Sequence, residues 1–63
     1  MKIGFIGLGN VGGKLAGSLI RNGHDVTVRD LNAELMAEFV ARGAYAADSP
    51  RALGEAVDVI VTC

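Results

Sequence analysis

The stretch I-G-F-I-G-L-G-N-V-G, from Ile3 to Gly12, decides the fold of this chain. It begins as a short apolar run and then follows the spacing G-x-G-x-x-G, which is typical of a strand that turns tightly into a helix. In this pattern Gly7 permits the turn, Gly9 lets the backbone approach a diphosphate, and Gly12 lets the helix pack closely on the sheet. The start of the helix also offers unpaired N–H groups and a partial positive charge, which suit an anion.

The residues around these glycines predict seven alternating elements, β-α-β-α-β-α-β. The predicted strands are residues 2–6, 25–29, 44–47 and 57–62. One predicted helix follows the glycine turn and ends before Gly23, a second spans residues 33–42, and a third begins at Pro50. Asn32 and Ser49 precede the second and third helices and are suitable N-caps.

Each predicted helix has apolar residues at the spacing of one helical face, and we expect these faces to pack on the sheet. They are Val11, Leu15, Ala16, Leu19 and Ile20 in the first helix, Leu35, Met36, Phe39 and Val40 in the second, and Ala52, Leu53 and Ala56 in the third. Strands that alternate with helices form a parallel sheet through right-handed crossovers. The sequence therefore predicts an α/β fold, the first part of a Rossmann-type parallel sheet with strand order 3-2-1-4.

Asp30 follows the second predicted strand, about 20 residues after the glycines, where a dinucleotide-binding fold places an acid. Its carboxylate can accept hydrogen bonds from an adenosine ribose. It would also repel a 2′-phosphate at about 4 Å by about 1 kcal/mol in water and about 4 kcal/mol at a partly shielded surface. Leu31 stands where an NADP site favours arginine, and strand alternation directs Arg29 away from Asp30. We therefore predict NAD binding, with NADP less favoured; the alternative is that Asp30 only caps a turn.

Four stretches of the chain, which together cover nearly all of it, resemble the N-terminal domain of the β-hydroxyacid dehydrogenases. That family includes 3-hydroxyisobutyrate dehydrogenase, tartronate semialdehyde reductase and 6-phosphogluconate dehydrogenase. The stretches are I-G-F-I-G-L-G-N-V-G, G-H-D-V-T-V-R-D-L-N, G-A-Y-A-A-D-S-P and V-D-V-I-V-T. The chain departs from the family at Val11, where Met is usual, and at Ser18, where Asn is common. Lys14 and Leu15 stand where the family often has a Pro-Met pair.

This resemblance implies that the backbone of the turn contacts the pyrophosphate of the cofactor and that Asp30 contacts its ribose. The turn residues concerned are Gly7, Leu8, Gly9, Asn10, Val11 and Gly12. Family members that use NADP tend to carry Asn-Arg-Thr at positions 30–32, so the resemblance also implies NAD. It further implies hydride transfer between NAD and a small β-hydroxy acid, and a homo-oligomeric complete enzyme. The family's catalytic lysine matches no residue of this chain, so we assign no catalytic residue.

Composition narrows the class of function further. The 63 residues carry a net charge of −1 without basic clusters, which argues against nucleic acid or an anionic membrane as a partner. One cysteine excludes an internal disulfide, and no Cys/His pattern predicts a metal site. No apolar segment has the length of a membrane span, and the first strand leaves no room for a signal peptide, so we expect a cytoplasmic protein.

The run V-D-V-I-V from Val57 has the composition of a buried strand, yet no predicted helix follows to cover it. We therefore expect residues 1–63 to be the N-terminal part of a dinucleotide-binding domain, which aggregates or stays partly molten when isolated. Cys63 is expected to end the fourth strand on the side of the ligand crevice. His24 is expected to serve a turn, and Lys14 to be solvated.

Two other classes of protein share a glycine turn followed by an acid. One is a non-enzymatic NAD-sensing regulatory domain, such as those of potassium transport systems. The other is a different Rossmann reductase, such as an enzyme of the pyrroline-carboxylate reductase type. The pairs Gly43-Ala44 and Ser49-Pro50 favour the β-hydroxyacid dehydrogenases over both.

Overall fold

The computed structural model describes residues 1–62, without the side chain of Asn10. Over this range the chain alternates between strands and helices as predicted. The elements are β1 (Lys2–Ile6), α1 (Asn10–Arg21), β2 (Asp25–Arg29), α2 (Ala33–Ala41), β3 (Tyr45–Ala46), α3 (Pro50–Ala56) and β4 (Val59–Thr62). The expectation for Cys63 lies outside the described residues.

The strands form one parallel sheet in the order β3-β2-β1-β4, which confirms the predicted topology. β1 lies at its centre, with Phe5 opposite Val28 of β2 and Val61 of β4. Parallel strands that lie side by side bring their carboxyl ends to the same edge of the sheet. The glycine turn after β1 and the acid after β2 therefore lie next to each other.

One face of the sheet holds most of the apolar core. Phe5, Val26 and Val28 point to this face and cluster with Ala16 of α1 and Phe39 of α2. On the opposite face, Leu53 of α3 is fully buried against β1. Each helix thus contributes at least one buried residue to the covering of the sheet.

Each helix leaves exposed at least one residue that was predicted to pack on the sheet. In α1, Val11 and Leu15 are 75% and 44% exposed, and the residues that face the sheet are Gly12, Ala16 and their neighbours. Ala16 is buried and Leu19 and Ile20 pack partly buried against the core as predicted, so the inward face is shifted from Val11 and Leu15 toward Gly12 and Ala16, because the small side chains let the helix backbone come close to the sheet. Val40 of α2 is likewise 44% exposed. In the third helix Leu53 is buried as predicted, while Ala56 is exposed.

Both N-caps are confirmed, whereas several strands are shorter than predicted. The Asn32 side chain accepts a hydrogen bond from Leu35 N–H, and the Ser49 hydroxyl accepts one from Ala52 N–H, each at 3.1 Å. β3 begins one residue later than predicted, because Ala44 N–H donates to the last turn of α2 instead of to a strand.

β4 also starts later than predicted, at residue 59 instead of 57. Val57 is the C-cap of α3. Before the regular ladder begins, Asp58 N–H donates to the Lys2 carbonyl and Lys2 N–H donates to the Asp58 carboxylate. β4 is an edge strand, and Val59 and Ile60 are 42% and 47% exposed, as expected for a run of buried-strand composition that no predicted helix follows. In the part of the chain that the structure describes, no helix is long and apolar enough to cross a membrane.

Candidate functional site

The loop between β1 and α1 begins with a turn that needs glycine. Gly7 has a φ of 93°, a backbone conformation that residues with a Cβ adopt only at a cost. Its N–H donates to the Arg29 carbonyl at 2.9 Å, which extends the pairing of β1 with β2 by one residue. The turn predicted at Gly7 is confirmed, and it directs the chain out over the carboxyl edge of the sheet.

The start of α1 leaves several backbone N–H groups without a partner inside the helix. The first bond of the helix runs from Gly13 N–H to the Gly9 carbonyl at 2.7 Å, so the N–H groups of residues 10–12 precede the helical ladder. A Cβ placed on Gly9 would meet no heavy atom within 4 Å. The structure therefore combines hydrogen-bond donors, the positive end of a helix dipole and open space, which is the arrangement that an anion requires.

The carboxylate of Asp30 connects this loop to the loop after β2. Its Oδ2 accepts a hydrogen bond from Leu8 N–H at 2.7 Å, and its Oδ1 accepts one from Asn32 N–H at 2.8 Å. The hydrogen bond from Asn32 N–H, followed by that from Leu8 N–H, lowers the pKa of Asp30 below its ordinary value, against a smaller effect of desolvation. Asp30 is therefore ionised at neutral pH.

Arg29 also affects Asp30, although strand alternation was expected to separate them. Its positive charge makes a smaller contribution to the lowered pKa of the Asp30 carboxyl. Both residues line a cleft of about 340 Å³ at the carboxyl ends of β1 and β2. The cleft is lined by Ile6, Gly7, Arg29, Asp30, Leu31 and Pro50. Leu31 is 96% exposed, so this cleft presents an apolar side chain beside a carboxylate.

The structure brings the predicted site residues together at one edge of the sheet. Leu8 differs from its neighbours, because its side chain is buried in the core and its N–H already donates to Asp30. Gly12 is buried, in agreement with close packing of α1. His24 is exposed and precedes β2, so it lies at the opposite edge, and Lys14 is exposed on α1.

Sequence reasoning missed two glycines that permit close packing, Gly13 against the loop and Gly4 under α3. A Cβ on Gly13 would lie 3.1 Å from the Leu8 carbonyl oxygen and 3.4 Å from the Phe39 ring. A Cβ on Gly4 would lie only 2.5 Å from Leu53 Cδ2. The doubled glycine at positions 12–13 was an available signal for the first, whereas nothing local marks Gly4. Among the described residues, no three side chains of His, Cys, Asp or Glu are grouped so that they could hold a metal ion.

Comparison with known proteins gives consistent matches. Residues 2–63 match the family model described as the NAD binding domain of 6-phosphogluconate dehydrogenase. The chain is 45% identical over 60 residues to a probable mitochondrial 3-hydroxyisobutyrate dehydrogenase of Dictyostelium discoideum, covering 95% of this chain and 19% of that protein. It is 40% identical over 60 residues to 3-hydroxyisobutyrate dehydrogenase of Pseudomonas aeruginosa, covering 95% and 20%. The chain thus spans about a fifth of the length of these curated relatives.

Solved structures show the same arrangement of elements. The imine reductase of Myxococcus stipitatus in complex with NADP+ superposes with a TM-score of 0.94 at 26% identity, over 98% of this chain and 22% of that one. Its V8 variant in complex with NAD+ gives a TM-score of 0.91 at 26% identity, over 97% and 21%. Solved structures with this arrangement of elements are therefore known with NADP+ and with NAD+ bound.

Proposed function

Since this chain belongs to the family described as the NAD binding domain of 6-phosphogluconate dehydrogenase, we propose that its glycine loop and Asp30 bind the ADP half of NAD. The loop residues that surround the pyrophosphate are Gly7, Leu8, Gly9, Asn10, Val11 and Gly12. In this proposal the N–H groups of residues 10–12 donate to phosphate oxygens, and Leu8 contributes the position of its backbone. The observation that carries the proposal is the open space at Gly9, the residue next to the N–H groups of α1 that precede the helical ladder.

Asp30 supports a preference for NAD over NADP. Its lowered pKa keeps the carboxylate charged, so it can accept hydrogen bonds from both ribose hydroxyls and repels a 2′-phosphate. Leu31 adds no positive charge that could offset this repulsion, although Arg29 lies on the same cleft. A repulsion of about 1–4 kcal/mol corresponds to a preference of about fivefold to about a thousandfold in affinity.

We further propose that the chain is the N-terminal part of a β-hydroxyacid dehydrogenase. The support is the sequence identity of 40–45% between this chain and 3-hydroxyisobutyrate dehydrogenases. The chain spans about a fifth of the length of those proteins. In the complete protein, bound NAD supplies the acceptor for a hydride from a small β-hydroxy acid, and subunits associate into a homo-oligomer. The exposed apolar side chains of Val59 and Ile60 suit a strand that further elements of the domain would cover. The expected cytoplasmic location stays a prediction, since the Dictyostelium relative is named mitochondrial.

A second candidate is a reductase of carbon–nitrogen double bonds. The TM-score of 0.94 with an imine reductase favours it, and it corresponds to the pyrroline-carboxylate reductase type weighed from the sequence. The curated dehydrogenases are more similar in sequence, at 40–45% identity against 26%. Both candidates assign the same proposed cofactor-binding roles to the glycine loop and Asp30.

The test is a calorimetric titration of the intact protein with NAD and with NADP, for wild type and for Asp30→Ala. We expect wild type to bind NAD at least about fivefold more tightly than NADP, and Asp30→Ala to reduce that ratio by about fivefold or more. The matched control is Asp25→Ala, which removes the same charge from an exposed position at the other end of β2. It should leave the ratio unchanged.

Two outcomes would refute the proposal. Absence of heat on titration of wild type with either dinucleotide would remove the assigned site. An equal NAD to NADP ratio in wild type and Asp30→Ala would show that Asp30 does not select the cofactor.

A further inference from the structure

We propose that Asp30 is also a positioning residue, whose carboxylate holds the glycine loop in the shape that receives a diphosphate. This inference rests on the proposed function, because it concerns the same site. It differs from a role as ribose ligand, since the groups that Asp30 contacts in the structure are backbone N–H groups of the protein.

Two successive hydrogen bonds anchor the glycine loop to the end of β2. Gly7 N–H donates to the Arg29 carbonyl at 2.9 Å, and the next N–H, that of Leu8, donates to Asp30 Oδ2 at 2.7 Å. The following residue, Gly9, is the N-cap of α1. Two successive amides are thus fixed by two successive residues of the neighbouring strand end. The bond to Asp30 is the last anchor before the helix that donates to the anion.

The other oxygen of the carboxylate binds a second backbone amide. Asp30 Oδ1 accepts from Asn32 N–H at 2.8 Å, and the Asn32 side chain in turn caps α2 by accepting from Leu35 N–H. Asp30 therefore ties the start of α1 to the start of α2. A carboxylate offers about four lone-pair sites, so both oxygens retain acceptor capacity for ribose hydroxyls while they hold these amides. The two roles are compatible in one side chain.

Holding both amides requires a carboxylate. An asparagine has nearly the same shape, but one of its two terminal atoms is an NH₂ group that donates. In Asp30→Asn, either Leu8 N–H or Asn32 N–H would face another donor, and one of the two ties would be lost. The lowered pKa of Asp30 has the same physical origin, since both amides stabilise the ionised carboxylate.

A positioning role of Asp30 and a purely electrostatic effect predict opposite changes in the affinity for a diphosphate when the charge of Asp30 is removed. Removing a negative charge beside a phosphate site raises the affinity for a diphosphate when charge alone matters. Loss of the anchored loop lowers that affinity, because the donors are no longer held in place. A nucleotide without ribose hydroxyls isolates this effect, since it cannot donate to Asp30.

The experiment measures the affinities of ADP and 2′,3′-dideoxy-ADP by calorimetry on the intact protein. We expect Asp30→Asn to weaken 2′,3′-dideoxy-ADP by about fivefold or more, the scale of the net loss of one hydrogen bond. The control Asp25→Asn should change it by less than about twofold. If 2′,3′-dideoxy-ADP binds Asp30→Asn as tightly as wild type or more tightly, while ADP binds more weakly, Asp30 is a ribose ligand only and the proposal is overturned.

A second measurement needs no nucleotide and so remains decisive if the proposed function fails. In ¹⁵N-labelled wild type, the NMR resonance of the Leu8 amide should shift as Asp30 is protonated in acid. Arg29 is the charged neighbour that also lowers the pKa of this carboxyl. In Asp30→Asn the shift should vanish, and the Leu8 amide should exchange with solvent faster. A Leu8 resonance in wild type that does not respond to acid would overturn the proposal, whatever the nucleotide titrations show.

Discussion

Gly9→Ala tests the proposed diphosphate site because it separates binding from folding. In the structure a Cβ at this position meets no heavy atom within 4 Å, and the backbone angles of φ −65° and ψ −168° are open to alanine. Alanine is a poorer N-cap than glycine, whereas it restricts the unfolded chain, so these small effects oppose each other. We expect the free energy of unfolding to change by less than about 1 kcal/mol.

The effect on binding should be much larger. If the diphosphate lies against the Gly9 backbone, the added methyl occupies its space, and overpacking of this kind costs about 1–3 kcal/mol. The affinity for NAD should then fall by about one to two decades. Calorimetric titration gives the affinity, and thermal unfolding of the same samples gives the stability.

Gly54→Ala is the matched control for this prediction. It adds the same methyl to a helical glycine of α3, where the nearest atom is Ile60 Cδ1 at an ordinary 3.6 Å. Its affinity for NAD should equal that of wild type. Wild-type affinity in Gly9→Ala would refute the assignment of the diphosphate to this loop. A large loss of stability in Gly9→Ala would refute the claim that the space before α1 is open.

Two further predictions concern stability. Gly4→Ala should destabilise the fold by about 1–3 kcal/mol, because its Cβ would lie 2.5 Å from Leu53 Cδ2 and 2.9 Å from Val57 Cγ2. Urea unfolding measures the change in the free energy of unfolding, and an unchanged midpoint would contradict the packing of α3 on β1. The pKa of Asp30 is lower in the folded protein than in the unfolded chain, where it is about 3.9. The ionised carboxylate therefore stabilises the fold above about pH 3.9, and this stabilisation is lost as the pH falls through the pKa of Asp30 in the folded protein. The difference in stability between wild type and Asp30→Asn should therefore shrink on acidification below about pH 4, and a difference that grows there would contradict the sign.

Local interactions explain why much of the fold could be predicted. The turn at Gly7 depends on one residue's backbone angles, and the caps at Asn32 and Ser49 act on amides three residues away. Alternation of strands and helices predicts a parallel sheet with right-handed crossovers, and the glycine turn followed by Asp30 selects the dinucleotide-binding topology, which has the order β3-β2-β1-β4. The position of Asp30 beside the glycine loop follows from the same topology.

The parts of the fold that could not be predicted depend on interactions between residues distant in the chain. Sequence patterns do not record such interactions. Val11 and Leu15 share a helical face with the buried residues by period, yet close packing of Gly12 and Ala16 rotates them outward. Gly4 is needed only because Leu53 of α3 lies on it. The bond from Leu8 N–H to Asp30 joins residues 22 positions apart and exists only once β1 and β2 are paired. Periodicity and turn chemistry act within a few residues, whereas the rotation of a helix and the partner of a carboxylate are set by what the folded sheet brings beside them.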